Sequence, residues 1–303
     1  MGYIRFFYYL CTVKQVINHI ISQLKGYYPD HELREIAYWI IEETTGLSRS
    51  QMIISGIGNR ISDIGELDSI IQQLQAHVPI QYIFGHTQWM GLDLRVTPAT
   101  LIPRPETAEL VEWILQSVSP RVHARVLDIG TGSGCIAIAI KKHAPLWSVT
   151  GLDISEDALD IARDNALRNN VEVQWIQSDI LQPEGRSTIY RALPDLQRSD
   201  LTSIIVSNPP YICEKEKKDM DSRVLDYEPH AALFVPDNDP LLFYRKISEI
   251  GYRKSDIGWV FFEINEAYGQ QVCDMMRDMG YTDVELKYDM YGKPRMVRGR
   301  ITR

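Results

Sequence analysis

Residues 126–134 read Val126-Leu-Asp-Ile-Gly-Thr-Gly-Ser-Gly134, and helical periodicity takes over directly afterwards. The passage therefore reads as a strand running straight into a helix through three alternating glycines. Glycines this close let the backbone take otherwise strained angles and approach a ligand without Cβ clashes. The helix that follows offers free N–H groups at its start. In open α/β sheets ligands bind at the carboxyl ends of the strands, which is where this turn lies. A dinucleotide fingerprint calls for a third glycine at position 135, and Cys135 stands there instead. Alone, such a turn is also readable as a tight strand–helix corner.

Outward on the C-terminal side, strand and helix patterns alternate. Apolar runs predict strands at Arg125–Ile129, Ser148–Leu152, Glu172–Ile176, Ser203–Val206, Trp259–Ile264, Val284–Tyr288 and Met296–Arg300. Helical patterns fill Cys135–His143, Glu156–Asn169, Leu241–Lys254 and Gly269–Met279. This alternation predicts an α/β fold with a Rossmann-like, seven-stranded, mostly parallel sheet covered on both faces. The last two strands are joined by a short turn around Gly292, so they must pair antiparallel, which turns the last strand against the rest. The connections Gln182–Asp200 and Ile212–Asp239 exceed ordinary loop length and invite a functional explanation.

On the N-terminal side the pattern is helical. Val13, Val16, Ile17, Ile20, Ile21 and Leu24 share one helical face. Asp30 is placed to cap a second helix carrying Leu33, Ile36, Ala37, Ile40 and Ile41, with Gly46 as its stop. Ser48-Arg-Ser-Gln51 has the spacing of a capping box for a third, and Leu67, Ile70, Ile71 and Leu74 mark a fourth. Residues 1–80 thus read as a small helical bundle. Tyr82-Ile-Phe84 and Leu92–Val96, flanking Gly85 and Gly91, predict a β-hairpin, which makes 81–98 a connector and 99–303 the main domain. Pro105 suits the first turn of a helix continuing through Leu110, Val111, Ile114 and Leu115.

Two further strand ends bear on the glycine turn. Asp153 ends the next strand, where a carboxylate can accept hydrogen bonds from ribose hydroxyls. Asp179 follows the third, placed to meet an adenine edge with Ile180 lying against the ring. Together with Gly130, Thr131, Gly132, Ser133 and Gly134 they form a candidate cofactor site. After the fourth strand comes Ser207-Asn-Pro-Pro-Tyr211. Two prolines end the ladder and stiffen the corner, aiming the Asn208 side chain and the Pro209 carbonyl into one crevice. Both are hydrogen-bond acceptors. Paired acceptors suit a planar group bearing NH2, on whose plane Tyr211 can stack. The motif specifies a planar nitrogen and leaves open whether it belongs to a protein or a nucleic acid.

Composition narrows the field. The chain carries 32 Lys+Arg against 40 Asp+Glu, a net charge of −8, which disfavours a main role in gripping nucleic acid. Cys11, Cys135, Cys213 and Cys273 show no paired spacing, so neither a zinc site nor a disulfide framework is expected, and the pattern fits a reducing compartment. The histidines form no ligand cluster, and no metal is expected. No apolar run approaches the roughly 18–20 residues of a membrane span. The aromatic stretch Met1–Leu10 lacks signal-peptide organisation and reads as an extension of a cytoplasmic protein. The basic stretch Lys287–Arg303 reads as the solvated face of a terminal hairpin. Trp89 and Trp175 read as packing residues.

The Asp-x-Gly-x-Gly-x-Gly spacing of the turn matches class I S-adenosylmethionine-dependent methyltransferases, whose ligand has no pyrophosphate. Thr100-Leu-Ile-Pro-Arg-Pro-Glu-Thr107 followed by Asn208-Pro-Pro-Tyr211 closely resembles the HemK-type release factor glutamine methyltransferases. Further echoes are Glu228-Pro-His-Ala-Ala-Leu233, Glu263-Ile264 with Gly269-Gln270, and the Asp289…Gly292…Arg295…Gly299-Arg300 ending. The resemblance spans about Thr12 to Arg300. It implies methylation of the side-chain amide (N5) of the glutamine in the Gly-Gly-Gln motif of peptide chain release factors, with no nucleic-acid substrate. On that analogy Gly130–Gly134, Asp153, Asp179, Ile180 and Asn208 hold S-adenosyl-L-methionine, while Asn208, Pro209, Pro210 and Tyr211 bind the glutamine and align it for transfer. Apolar residues ahead of Pro103, here Leu101 and Ile102, would line the glutamine pocket, and the helical domain would help dock the release factor. A sister family acts on a ribosomal protein glutamine, but its segment resembles Pro-Arg-Ser-Pro, against Pro103-Arg-Pro-Glu106 here. Adenine methyltransferases of nucleic acids share Asn-Pro-Pro-Tyr but lack the front half.

Overall fold

A computed structural model describes residues 13–55, 66–182, 202–253 and 257–301. The Met1–Leu10 extension, Cys11 and nearly all of the Gln182–Asp200 connection lie outside the described residues. The chain divides into two compact units, residues 1–85 with 222–227, and residues 86–221 with 228–303.

The first unit contains helices α1 (Val13–Leu24), α2 (Asp30–Thr45), α3 (Arg49–Ser55), α4 (Leu67–Gln75) and α5 (Ile80–Phe84). Its core is the set of apolar stripes expected from periodicity: Val16, Ile20 and Leu24 pack with Leu33, Ile40, Ile70 and Leu74. The Ser48–Gln51 capping box forms reciprocally, with the Ser48 N–H donating to Gln51 Oε1 at 2.9 Å and the Gln51 N–H to Ser48 Oγ at 3.4 Å. Gly46 terminates α2 at φ +65°, in the left-handed region. Asp30 does not cap that helix. Pro29 occupies the cap position without a side-chain bond, and Asp30 is the first helical residue, where its charge still complements the helix dipole. The later stretch Ser222–Tyr227 completes this unit. The Arg223 guanidinium lies 5.3 Å above the Tyr28 ring and pairs with Glu32 at 3.2 Å, while the Tyr227 hydroxyl donates to the Ala76 carbonyl at 2.6 Å.

One expected strand is a helix. Tyr82–Phe84 belongs to α5, because Pro79 sets up a helical start and Gly85, at φ +75°, stops it a turn later. The hairpin forms downstream, from β1 (His86–Trp89) and β2 (Leu92–Arg95). Met90 and Gly91 both take positive φ, the geometry of a two-residue hairpin turn that matches strand twist. The second unit continues with α6 (Pro105–Ser117), β3 (Ala124–Ile129), α7 (Cys135–His143), β4 (Ser148–Asp153), α8 (Glu156–Arg168), β5 (Gln174–Gln177) and β6 (Thr202–Ser207). After β7 (Ile212–Cys213) the chain makes the short turn α9 (Ser222–Leu225) in the helical unit, then α10 (His230–Leu233) and β8 (Phe234–Val235), which pairs with β7. It closes with α11 (Leu242–Arg253), β9 (Ile257–Glu263), α12 (Gly269–Asp278), β10 (Thr282–Tyr288) and β11 (Pro294–Arg300).

The main sheet has seven strands in the order β10-β11-β9-β6-β3-β4-β5. β11 runs antiparallel to both neighbours and the remaining pairings are parallel, as expected. β5 starts two residues later than the apolar run at Glu172 predicts, since β4 pairs only from Thr150 opposite Gln174. Apolar cores lie on both faces of the sheet. Val126 and Val206 pack with α6 and α7 on one, Leu127 and Ile205 with α11 and α12 on the other.

Register then positions the site. Ile129 lies opposite Leu152 on one side and Ser207 on the other. Gly130, Asp153 and Asn208, each the next residue along, therefore lie at one level at the sheet's edge. The Ser207 hydroxyl donates to the Ile129 carbonyl at 2.6 Å, fastening the two strand ends together.

Candidate active site

The glycine turn is shaped by its backbone. Gly130, Gly132 and Gly134 take φ of +70°, +53° and +80°, which side chains rarely tolerate. The Gly130 and Thr131 N–H groups donate to the Leu152 carbonyl, and the Gly132 N–H donates to Asp153 Oδ2 at 2.8 Å. A Cβ at Gly130 or Gly132 would meet no atom within 4 Å, so these two glycines face open space. Gly134 differs, since a Cβ there would sit 2.9 Å from Cη2 of Trp175 and 3.1 Å from Ala162. Trp175 is thus the packing residue expected, filling the floor under the turn.

Beneath the turn Asp128 is fully buried and accepts from the Thr131 hydroxyl at 2.5 Å. Burial pushes its carboxyl up to about 7, against the opposing effect of that hydroxyl. Burial also raises the Asp153 carboxyl, opposed by the N–H groups of Ser155 and Gly132. Asp153 Oδ1 accepts from the Ser155 N–H and Oδ2 from the Gly132 N–H, which orients the carboxylate. Asp179 accepts from the Leu181 N–H at 2.8 Å, and Ile180 beside it is buried. A cradle of open glycines with an oriented carboxylate at its rim fits a small ligand carrying hydroxyls.

The Asn208–Tyr211 corner is held by residues from α6 and β9. Asn208 Nδ2 donates to Thr107 Oγ1 at 3.4 Å, and the Thr107 hydroxyl donates to Glu263 Oε2 at 2.6 Å. The Tyr211 hydroxyl donates to the other oxygen, Glu263 Oε1, at 3.2 Å. Thr107 has one proton and spends it on Glu263, so toward Asn208 it can only accept. The carboxamide is thereby fixed with nitrogen toward α6 and oxygen the other way. Asn265 Nδ2 donates to the Tyr211 carbonyl at 3.1 Å and to the Glu216 carboxylate. Burial drives the Glu263 carboxyl upward, opposed by the Thr107 hydroxyl and by Arg295. The Tyr211 hydroxyl is also raised, first by burial and then by the Glu263 charge.

The segment ahead of α6 is anchored separately. The Ile102 N–H donates to Glu228 Oε2 at 3.2 Å, and Arg104 pairs with Glu228 Oε1 at 2.5 Å. The Trp89 indole N–H donates to the Arg104 carbonyl at 2.8 Å, so this tryptophan packs and also tethers. Ile102 is buried and Leu101 half-buried. The hairpin is fixed by two asparagines of α8 and its end. Asn165 accepts from the Arg95 N–H at 2.6 Å and donates to the Arg95 and Ser133 carbonyls at 2.9 Å each, and Asn169 bonds Asp93 in the same way. Thr107, Asn165, Glu228 and Asn265 were not singled out for a site by sequence reasoning. Each acts through a partner distant in the chain, and the local signals were the Pro-Glu-Thr start of α6 and the stretch opening at Glu228.

A Rossmann-like sheet with β11 reversed, a glycine turn after β3 and an Asn-Pro-Pro-Tyr corner after β6 defines a methyltransferase. Residues 110–227 match the methyltransferase small domain, and residues 15–85 match the PrmC N-terminal domain. The chain is 40% identical over 292 residues to the release factor glutamine methyltransferase of Flavobacterium psychrophilum, covering 94% of this chain and 98% of that one. It is 41% identical over 293 residues to the protein of the same name from Bacteroides thetaiotaomicron, covering 94% and 99%. The chain belongs to the release factor glutamine methyltransferase family. Among solved structures, the hMettl16 catalytic domain in complex with a MAT2A 3′UTR hairpin aligns at a TM-score of 0.55 with 14% identity, over 71% of this chain and 77% of that one, a likeness of fold.

Proposed function

We propose that this protein transfers a methyl group from S-adenosyl-L-methionine to the side-chain amide nitrogen of the glutamine in the Gly-Gly-Gln motif of peptide chain release factors. The observation that carries the reading is the locked Asn208 carboxamide, whose oxygen is the end left for a target. Family membership and the near-complete coverage of relatives bearing that name support the substrate.

Gly130, Thr131, Gly132, Ser133 and Gly134 wrap the cofactor, Asp153 takes its ribose hydroxyls, and Asp179 with Ile180 meets the adenine. When bound, the sulfonium supplies an already electrophilic methyl. The remaining task is alignment, because an amide nitrogen is a poor nucleophile with its lone pair delocalised. Asn208 Oδ1 and the Pro209 carbonyl accept the two N–H bonds of the target and polarise them. Tyr211 stacks on the amide plane, Pro210 stiffens the corner, and Leu101 with Ile102 closes the apolar side. Asn208 thereby also adjoins the cofactor. Such alignment supplies roughly 7–11 kcal/mol in favourable intramolecular systems. The proton grows acidic as the methyl bonds, so a strong base is not required.

The test is transfer of labelled methyl from S-adenosyl-L-methionine to a purified release factor, read by mass spectrometry of the Gly-Gly-Gln peptide. Label on that glutamine is expected. Robust transfer to DNA, RNA or a ribosomal protein, with none to the peptide, would refute the assignment.

A further inference from the structure

Glu263 lies at the end of β9, nearly fully buried, and both its oxygens accept from hydroxyls that lead to the two ends of one four-residue corner. Oε1 takes Tyr211 directly, and Oε2 takes Thr107, which in turn takes the Asn208 amide. We infer that Glu263 and Thr107 are positioning residues that set which way the Asn208 carboxamide faces and hold Tyr211 in step with it. An apolar side chain in place of Glu263 would fill the space without the desolvation cost of a buried carboxylate. It would also leave two hydroxyls unpaired and release the amide. An Asn208 carboxamide turned by 180° presents NH2 to an incoming NH2, donor against donor, and no bond forms. Orientation therefore decides whether the corner binds its target productively.

The Thr107 position allows a clean test, because Thr107→Val keeps the shape and removes the hydroxyl while Thr107→Ser keeps the hydroxyl. With release factor as substrate, Thr107→Val is expected to lower kcat about tenfold, as loss of about 1.4 kcal/mol in the transition state would. KM for the release factor and calorimetric Kd for S-adenosyl-L-methionine should stay within about twofold of wild type. Thr107→Ser should restore kcat to within about threefold. Glu263→Leu, which removes the acceptors of both hydroxyls, should reproduce the loss.

The inference rests on the function proposed above, and two arms separate their failures. Absence of transfer by the wild-type protein overturns that function. Independently of turnover, the Asn208 side-chain NH2 signals in 15N–1H spectra should shift in Thr107→Val and return in Thr107→Ser. Unmoved signals in Thr107→Val, unchanged kcat in that variant, or a Thr107→Ser protein as slow as Thr107→Val would overturn the positioning role.

Discussion

Gly132 and Gly134 sit two residues apart in one turn, yet alanine at each is expected to fail in different ways. Both have positive φ, so either alanine carries the left-handed penalty of about 1–2 kcal/mol. At Gly134 the added Cβ also meets Trp175 at 2.9 Å and both Ala162 and Ile138 at 3.1 Å, inside a packed core. Overpacking there adds about 1–3 kcal/mol, for a total of about 2–5 kcal/mol. At Gly132 nothing lies within 4 Å, so the stability cost stops at the backbone term. The new methyl projects instead into the space assigned to the cofactor, and affinity should fall at least about tenfold, or 1.4 kcal/mol. Urea unfolding and calorimetry with S-adenosyl-L-methionine measure the two quantities separately. A Gly134→Ala protein no less stable than Gly132→Ala, or a Gly132→Ala protein with wild-type cofactor affinity, would refute the distinction between floor and cradle.

Other expectations follow from the same geometry. Asn208→Ala should lower turnover by about 10²-fold or more while retaining cofactor affinity, whereas Asp153→Ala should weaken that affinity, with calorimetry separating the two. The folded Asp128 carboxyl holds its proton to about 7 while the unfolded one releases it near 3.9, so the unfolded state binds fewer protons between those values. Stability should therefore decline as pH rises from about 4 to 7, by up to about 4 kcal/mol, and Asp128→Asn should flatten the profile in urea titrations at pH 5 and pH 8. Asn165→Ala strips partners from Arg95 and from the Ser133 carbonyl. It should cost about 2–3 kcal/mol, read as a lowered urea midpoint, and a midpoint within error of wild type would contradict this account.

The sheet was legible because its strands are short apolar runs separated by helical periods, and α7 falls on the residues expected, Cys135–His143. Tyr82–Phe84 was misread because three apolar residues carry no period of their own, and the flanking Pro79 and Gly85 decide in favour of a helix. Asp30 was misplaced by one residue because Pro29 before it already has the extended conformation of a cap. At the site, the glycine turn and Asn208 were readable since each is a local motif at a strand end. The bond between Thr107 and Glu263 was not, because it spans 156 residues and nothing near either one reveals its partner. Glu263 gave a hint as an acid closing an otherwise apolar strand, and Thr107 through the Pro-Glu-Thr start of α6.

The six residues Ser222–Tyr227 leave the second unit and return to it within a single excursion, having become part of the helical bundle in between. No single cut in the chain therefore separates the two bodies. A fragment ending at residue 85 lacks the arginine that covers Tyr28 and the tyrosine that caps the Ala76 carbonyl, while a fragment starting at residue 86 carries both as an orphaned loop. Dissecting this enzyme into halves calls for grafting that peptide onto the bundle rather than trimming at a linker.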